Sequence, residues 1–344
     1  SKILIDGVAP TIGSWDASDG KQIGDIRNLQ NDDWHHLYFE LSATDTTSTL
    51  TWFSSYAEES TADETAWTQV KKLTASDAHS GDLFGEHVDM CGNYVVIGSS
   101  EDDQNRGAVY IFKKDQGGTD NWGQLKKITA SDIHQNTRFG GSLSIDGDRM
   151  AVAAVTSYGS VSAGVYIFEK DEGGSDNWGE VKKIDVDTPY VYLQGDCIVV
   201  GENSDDSNKG AAYIFKKDYD PLTPNDPSAN AWGQFKKLTA SDAADNDHFG
   251  HDVAIDGNNI VVSSREATVP TNNDGAGAVY VFNKDEGGSD NWGQVKKLIA
   301  SDADSNDKFN VVSIDGDIIA VGAAYEDGAG NNRGAVYVFS KDYD

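Results

Sequence analysis

An all-β propeller of four-stranded blades is the fold the sequence predicts, on three observations. One phrase is rewritten along the chain, its copies lie a blade's length apart, and the residues between copies fall into four short apolar runs. The phrase reads KDEGGSDNWGEVKKID from Lys170 and KDEGGSDNWGQVKKLIASD from Lys284, with variants KDQGGTDNWGQLKKITASD from Lys114, AWGQFKKLTASD from Ala231 and AWTQVKKLTASD from Ala66. Its tryptophans, Trp67, Trp122, Trp178, Trp232 and Trp292, are separated by 55, 56, 54 and 60 residues. Such spacings exceed ankyrin, tetratricopeptide and leucine-rich units and fit a propeller blade.

Each strand has its own justification. Between Asp77 and Trp122 stand FGEHVDM, NYVVIGSS and GAVYIFKKD, and WGQLKKITA follows; all are divided by Gly, Asn and Asp clusters. These runs are rich in Val, Ile, Tyr and Phe, as strands are, and no segment sustains a helical period. The order recurs as FGGSLSIDGDRMAVAAV and GVYIFEKD from Phe139, as FGHDVAIDGNNIVVSS and GAVYVFNKD from Phe249, and as FNVVSIDGDIIAVGAA and GAVYVFSKD from Phe309. A copy near Tyr190, YVYLQGDCIVVGENS then GAAYIFKKD, has lost its Phe-Gly. Inner strands sandwiched between blades are buried on both faces, which explains runs such as VVIGSS that do not alternate. Gly107, Gly210, Gly277 and Gly334 would let neighbouring backbones approach, and the recurring Phe84, Phe139 and Phe249 are expected in the core between blades. The phrase itself reads as a hairpin whose Gly-Gly-Ser-Asp-Asn turn leads to an outer strand opened by Trp. Its lysine pair would discourage that outer edge from pairing with other molecules.

Phe-Gly, an apolar strand, a Gly-Asp or Gly-Asn turn, an apolar strand ending in Val-Gly, an acidic loop and Gly-Ala-Val-Tyr-Val-Phe together resemble the FG-GAP repeat of integrin alpha-subunit propellers and of many bacterial surface proteins. The resemblance covers residues 67–344. It implies a propeller in an extracellular or cell-surface setting. The family's Asp-x-Asp-x-Asp-Gly-x-x-Asp calcium loop does not carry over, because the corresponding connection is only IDGDR, IDGNN or IDGDI.

The chain is expected to form a single propeller over residues 1–344, with 1–66 a degenerate first blade plus a closing strand and 67–344 the regular repeats. Ile23-Gly24 would replace Phe-Gly, HHLYFEL and TLTWFSSY would be the second and third strands, and residues 2–16 would complete the last blade, which otherwise lacks an outer strand. That gives six blades. Closing five blades with the strand from Trp67 is an alternative that leaves 1–66 as a separate β domain, and integrin propellers have seven. On the six-bladed reading, deleting residues 1–16 exposes the edge of GAVYVFSKD and causes aggregation or a large loss of stability.

Composition narrows the partners. With 27 basic and 57 acidic side chains the formal charge is −30, which repels a phosphate backbone and disfavours nucleic acid and acidic membranes alike. No apolar run is long enough to span a bilayer, so membrane insertion is not expected. Cys91 and Cys197 fall near turns of non-adjacent blades, which predicts two free, buried thiols.

Acidic loops invite a hard cation. Asp242, Asp245 and Asp247, and again Asp302, Asp304 and Asp307, precede first strands, and Glu101, Asp102 and Asp103 lie between second and third strands. Calcium is the expected cofactor, weakly held. Asp302, Asp304 and Asp307 are the leading set, although Asp307 and Ser313 stand where an EF-hand loop needs glycine and glutamate. The expected result is a higher melting temperature in millimolar calcium than after chelation at fixed ionic strength; equal values without a calorimetric heat of binding would remove metal from the account. Trp15, Trp34 and Trp52, with no repeat-wide structural role, are the candidate ligand-binding aromatics. Glu86-His87 and His251-Asp252 could face a central channel, but no nucleophile elbow, phosphate loop or zinc spacing accompanies them. The expected function is non-catalytic recognition or adhesion, binding protein or glycan through propeller loops, with assembly into a larger surface structure; the alternative is a polysaccharide-active hydrolase or lyase.

Overall fold

The computed structural model describes residues 21–27, 34–40, 68–132, 134–155, 164–187, 189–219, 232–269, 275–326 and 333–341. The chain divides into two compact units, Ser1–Thr68 and Gln69–Asp344. In the first, β1 (Lys21–Arg27) pairs antiparallel with β2 (Trp34–Glu40). The expected third strand of that unit, the closing strand at residues 2–16, and both Trp15 and Trp52 lie outside the described residues.

In the second unit the sequence repeats become successive antiparallel meanders. Sheet I contains β3 (Val88–Cys91), β4 (Tyr94–Ser99), β5 (Ala108–Lys114) and β6 (Trp122–Ile128). Sheet II contains β7 (Phe139–Asp146), β8 (Arg149–Ala154), β9 (Gly164–Glu169) and β10 (Gly179–Asp185). Sheet III contains β11 (Pro189–Gln194), β12 (Cys197–Glu202), β13 (Ala211–Lys217) and β14 (Trp232–Leu238), so loss of Phe-Gly did not cost that repeat a strand. Sheet IV contains β15 (Phe249–Asp256), β16 (Asn259–Ser264), β17 (Ala278–Asn283) and β18 (Gly293–Leu298). Sheet V has three strands, β19 (Phe309–Asp315), β20 (Ile318–Ala323) and β21 (Ala335–Ser340). First strands lie side by side, β3 against β7, β7 against β11, β11 against β15 and β15 against β19. This is the arrangement of propeller blades, with first strands innermost.

The core is divided among the junctions between sheets. Val96, Val109 and Ile111 of sheet I meet Phe139, Val152 and Tyr166 of sheet II; Val199 and Ile214 of sheet III meet Phe249, Val262 and Tyr280 of sheet IV. Phe139 and Phe249 are fully buried, with edge-to-face neighbours Tyr166 at 5.5 Å and Tyr280 at 5.4 Å. Phe84 differs from the sequence expectation. It is only half-buried, because among the described residues no sheet packs on the side of sheet I that Phe84 faces.

Two backbone devices join neighbouring sheets. In sheets I and III the glycine before the third strand touches the next sheet's phenylalanine: Gly107 bridges Phe139 and Gly210 bridges Phe249, while the Phe139 amide donates to the Arg106 carbonyl at 2.9 Å and the Phe249 amide to the Lys209 carbonyl at 2.9 Å. At the other end of the first strand, the last side chain accepts the amide of the next sheet's turn glycine. Asp146 accepts from Gly195 at 2.6 Å, Gln194 from Gly257 at 2.8 Å, Asp256 from Gly316 at 2.6 Å and Cys91 Sγ from Gly147 at 3.2 Å. Each bond satisfies a turn amide that no strand ladder reaches.

Candidate functional site

The repeated phrase, the most conspicuous motif, is occupied by framework contacts. In KDEGGSDNW the first aspartate folds the turn: Asp171 accepts the Asp176 amide and Asp285 the Asp290 amide, both at 2.9 Å. The second reaches the preceding sheet, where Lys113 pairs with Asp176 at 2.5 Å and Lys216 with Asp290 at 2.6 Å. Trp178, Trp232 and Trp292 are buried, and Trp178 packs edge-to-face on Tyr94 of sheet I at 5.4 Å. They are wedges between sheets, which removes them as a glycan-stacking platform.

The lysine pair and the Ala-Ser-Asp that follows it build a second framework element. Tyr110, Tyr166 and Tyr280 donate to Asp77, Asp132 and Asp242 at 2.8, 2.5 and 2.9 Å, and Lys127, Lys183 and Lys297 reach the other oxygen of the same carboxylates at 2.8, 2.6 and 2.7 Å. Sheet III draws its carboxylate from Asp205, which holds Tyr213 and Lys237. Burial pushes the phenols of Tyr110, Tyr166 and Tyr213 up to about 12, so all three stay neutral donors. Burial would raise Asp242 too, but Lys297 and Tyr280 outweigh it and hold its carboxyl below the usual range.

The other acidic residues of the proposed metal sets also have local partners. Asp247 and Asp307 cap tight turns, accepting the Ala244 amide at 2.8 Å and the Asp304 amide at 2.6 Å. In sheet II the same place is filled by Thr137, whose hydroxyl takes the His134 amide at 2.9 Å. A neutral threonine serves there, so closing the turn does not require a carboxylate. Asp245 pairs with Lys209 at 3.6 Å, Asp302 accepts the Tyr337 hydroxyl at 2.7 Å, and Asp304 accepts the Ser305 amide at 2.7 Å. Glu101 faces Arg138 at 3.2 Å, Asp102 faces Lys127 at 2.5 Å and Asp103 faces Arg106 at 2.7 Å. Among the described residues, no three His, Cys, Asp or Glu side chains converge as a metal cluster. Cys91 and Cys197 are free thiols, and burial pushes Cys197 up to about 11.

What remains is the inner lip formed by the first strands. One position there, opposite Gly98, Ala153, Gly201, Ser263 and Gly322 on the second strands, is filled in turn by His87, Ser142, Tyr190, Asp252 and Val311. Two of these side chains bind the next sheet's backbone: Ser142 accepts the Val191 amide at 3.2 Å and Asp252 the Val312 amide at 2.9 Å. Asp252 also accepts the Val253 amide at 2.9 Å, and burial raises its carboxyl to about 6. Tyr190 stacks on His251 with ring centres 5.2 Å apart, and the Asn310 amide reaches His251 Nδ1 at 3.2 Å. Burial first, then the charges of Arg265 and His248, bring His251 down to about 4, so the imidazole in that contact is neutral near pH 7. Glu86 takes the Ser100 hydroxyl, and burial lowers His87.

The sequence reading placed Glu86, His87, His251 and Asp252 near the axis but missed Tyr190 and Asn310. Their signal was departure from the repeat: Tyr190 lies in the copy without Phe-Gly, and Asn310 replaces the glycine of that pair. Of the candidate aromatics, only the backbone of Trp34, at the start of β2, falls within the described residues.

No curated protein matches the chain. A solved structure titled glycoside hydrolase is similar at 13% identity and a TM-score of 0.35, covering 75% of this chain and 86% of that one. The FG-GAP repeat family matches at residues 67–112, 122–168, 232–282 and 292–339 and skips the first three strands of the divergent sheet III, β11, β12 and β13. These segments span more than half of the chain, which belongs to the FG-GAP repeat family.

Proposed function

We propose that this protein is a non-catalytic recognition module, at the cell surface or outside the cell, that binds a protein or a glycan through the inner lip and adjoining loops of its repeats. The observation that carries the proposal is the lip position itself: five sheets place five different residues, His87, Ser142, Tyr190, Asp252 and Val311, at one geometric point of a repeated framework. Framework positions repeat because packing dictates them; a position free to differ is where a ligand can be read. The acids and bases nearby favour binding over catalysis. Asp252 accepts two backbone amides and His251 is engaged by Asn310, so neither offers the free proton-transfer partner that a general acid–base reaction requires. A formal charge of −30 favours neutral or basic ligands.

A glycan array run alongside a hydrolase and lyase screen tests this. Binding without turnover, weakened at least tenfold in Tyr190→Ala with the far-UV spectrum intact, is the expected result. Turnover of a polysaccharide abolished by Asp252→Asn or His251→Ala would replace the proposal with the enzymatic alternative.

A further inference from the structure

The two ends of the Gln69–Asp344 unit are bare in complementary ways. Sheet V exposes Val336 at 71% and Val338 at 68% on the face where sheet IV buries Val279 and Val281 against its neighbour. Sheet I exposes Val88 at 64% and Met90 at 60%, at the places where sheet II buries Leu143 and Ile145. Trp122 and Phe84 are half-buried on that same side, whereas Trp178 and Phe139 are fully covered by the preceding sheet. Asp315 stands exposed at the place from which Asp146 and Asp256 reach a neighbouring turn glycine. Among the described residues sheet V also lacks an outer strand, and its Tyr337–Asp302 pair has no lysine.

The missing parts are together in one segment. Residues 69–73 read QVKKL, as do 294–298, and closely match QLKKI at 124–128 and QFKKL at 234–238, all outer strands. One contact of an outer strand is already made. Lys126 reaches Asn177 of the next sheet's turn at 2.9 Å and Lys236 reaches Asn291 at 3.0 Å; Lys71 reaches Asn121 in sheet I at 2.8 Å. Leu73 and Ala75 pack against sheet I beside Phe84. The segment therefore stands against sheet I as the outer strand of a preceding sheet would, and among the described residues sheet V is the regular repeat without that strand.

We propose that residues 69–73 pair with the free edge of β21 as the fourth strand of sheet V, closing residues 69–344 into a five-bladed ring. Lys72, the counterpart of Lys127 and Lys297, then completes the pair Tyr337–Asp302, Asp315 accepts the Gly92 amide, and the two apolar faces cover each other. Strand exchange of this kind joins the ends of a repeat array and removes its exposed edge.

Carbodiimide coupling of the full chain at low concentration is the direct test, because it links amines to carboxylates only in contact. A Lys72–Asp302 cross-link in the monomer, with slow hydrogen exchange across residues 335–340, is expected. Lys72→Glu should speed that exchange at least tenfold and leave β16 unchanged, and adding Asp302→Lys should restore it. Removing residues 1–16 should leave the melting temperature unchanged. Any of three results overturns the proposal: coupling of Asp302 to Lys2 or Lys21, a Lys72–Asp302 link confined to dimers, or rapid exchange of β21 with no link.

Discussion

Replacing Phe249 by alanine is expected to cost about 3–5 kcal/mol, the range for a buried aromatic. The side chain is fully buried between sheets III and IV and meets Tyr280 at 5.4 Å and Phe282 at 6.1 Å. Collapse around the vacated volume is restricted, because the Phe249 amide is tied to Lys209 of sheet III at 2.9 Å. The same reasoning applies to Phe139. Phe84→Ala is expected to cost roughly half as much, since that ring is already half in water. Repeats need not unfold as one unit, so urea denaturation should be read with hydrogen exchange resolved by sheet. A loss under about 1 kcal/mol for Phe249→Ala would mean that the first-strand register is wrong.

Gly210→Ala is expected to separate sheets III and IV locally. The residue has φ of +82°, and a Cβ there would lie 1.9 Å from the Phe249 carbonyl oxygen and 2.6 Å from its nitrogen. Left-handed backbone costs a non-glycine residue about 1–2 kcal/mol, and forced overpacking adds about 1–3 kcal/mol. Gly257→Ala supplies the control: φ is +54° but nothing lies within 4 Å of the added methyl, so only the first cost applies. The expected difference is a lower urea midpoint and faster exchange of β13 and β15 amides in Gly210→Ala alone. Equal effects in the two variants would show that the close approach of the sheets contributes nothing beyond backbone conformation.

Much of this architecture was legible in the sequence because its cause is local and repeated. Strand-length apolar runs, punctuating glycines and the regular tryptophans determined the all-β class, the order of strands and the FG-GAP identity; Gly107, Gly210 and Gly277 could be named as points of close approach, whereas Gly98 and Gly201 could not. The tertiary structure decided what the charged residues do. Asp242 and Asp302 hold tyrosine hydroxyls, Asp247 and Asp307 cap turns, and Asp176 and Asp290 bind lysines across sheets, yet in sequence they are indistinguishable from acidic metal loops. A carboxylate's partner is set by which loop the neighbouring sheet brings within about 3 Å, and hydrophobic periodicity carries no information about that. Tyr190 and Asn310 became part of one lip for the same reason: they are 120 residues apart, and His251 is what brings them together, stacking on one and bonded by the other. Apolar burial depends on residue type and spacing, so a sequence records it; a polar contact depends on position in three dimensions, so only the packed sheets define it.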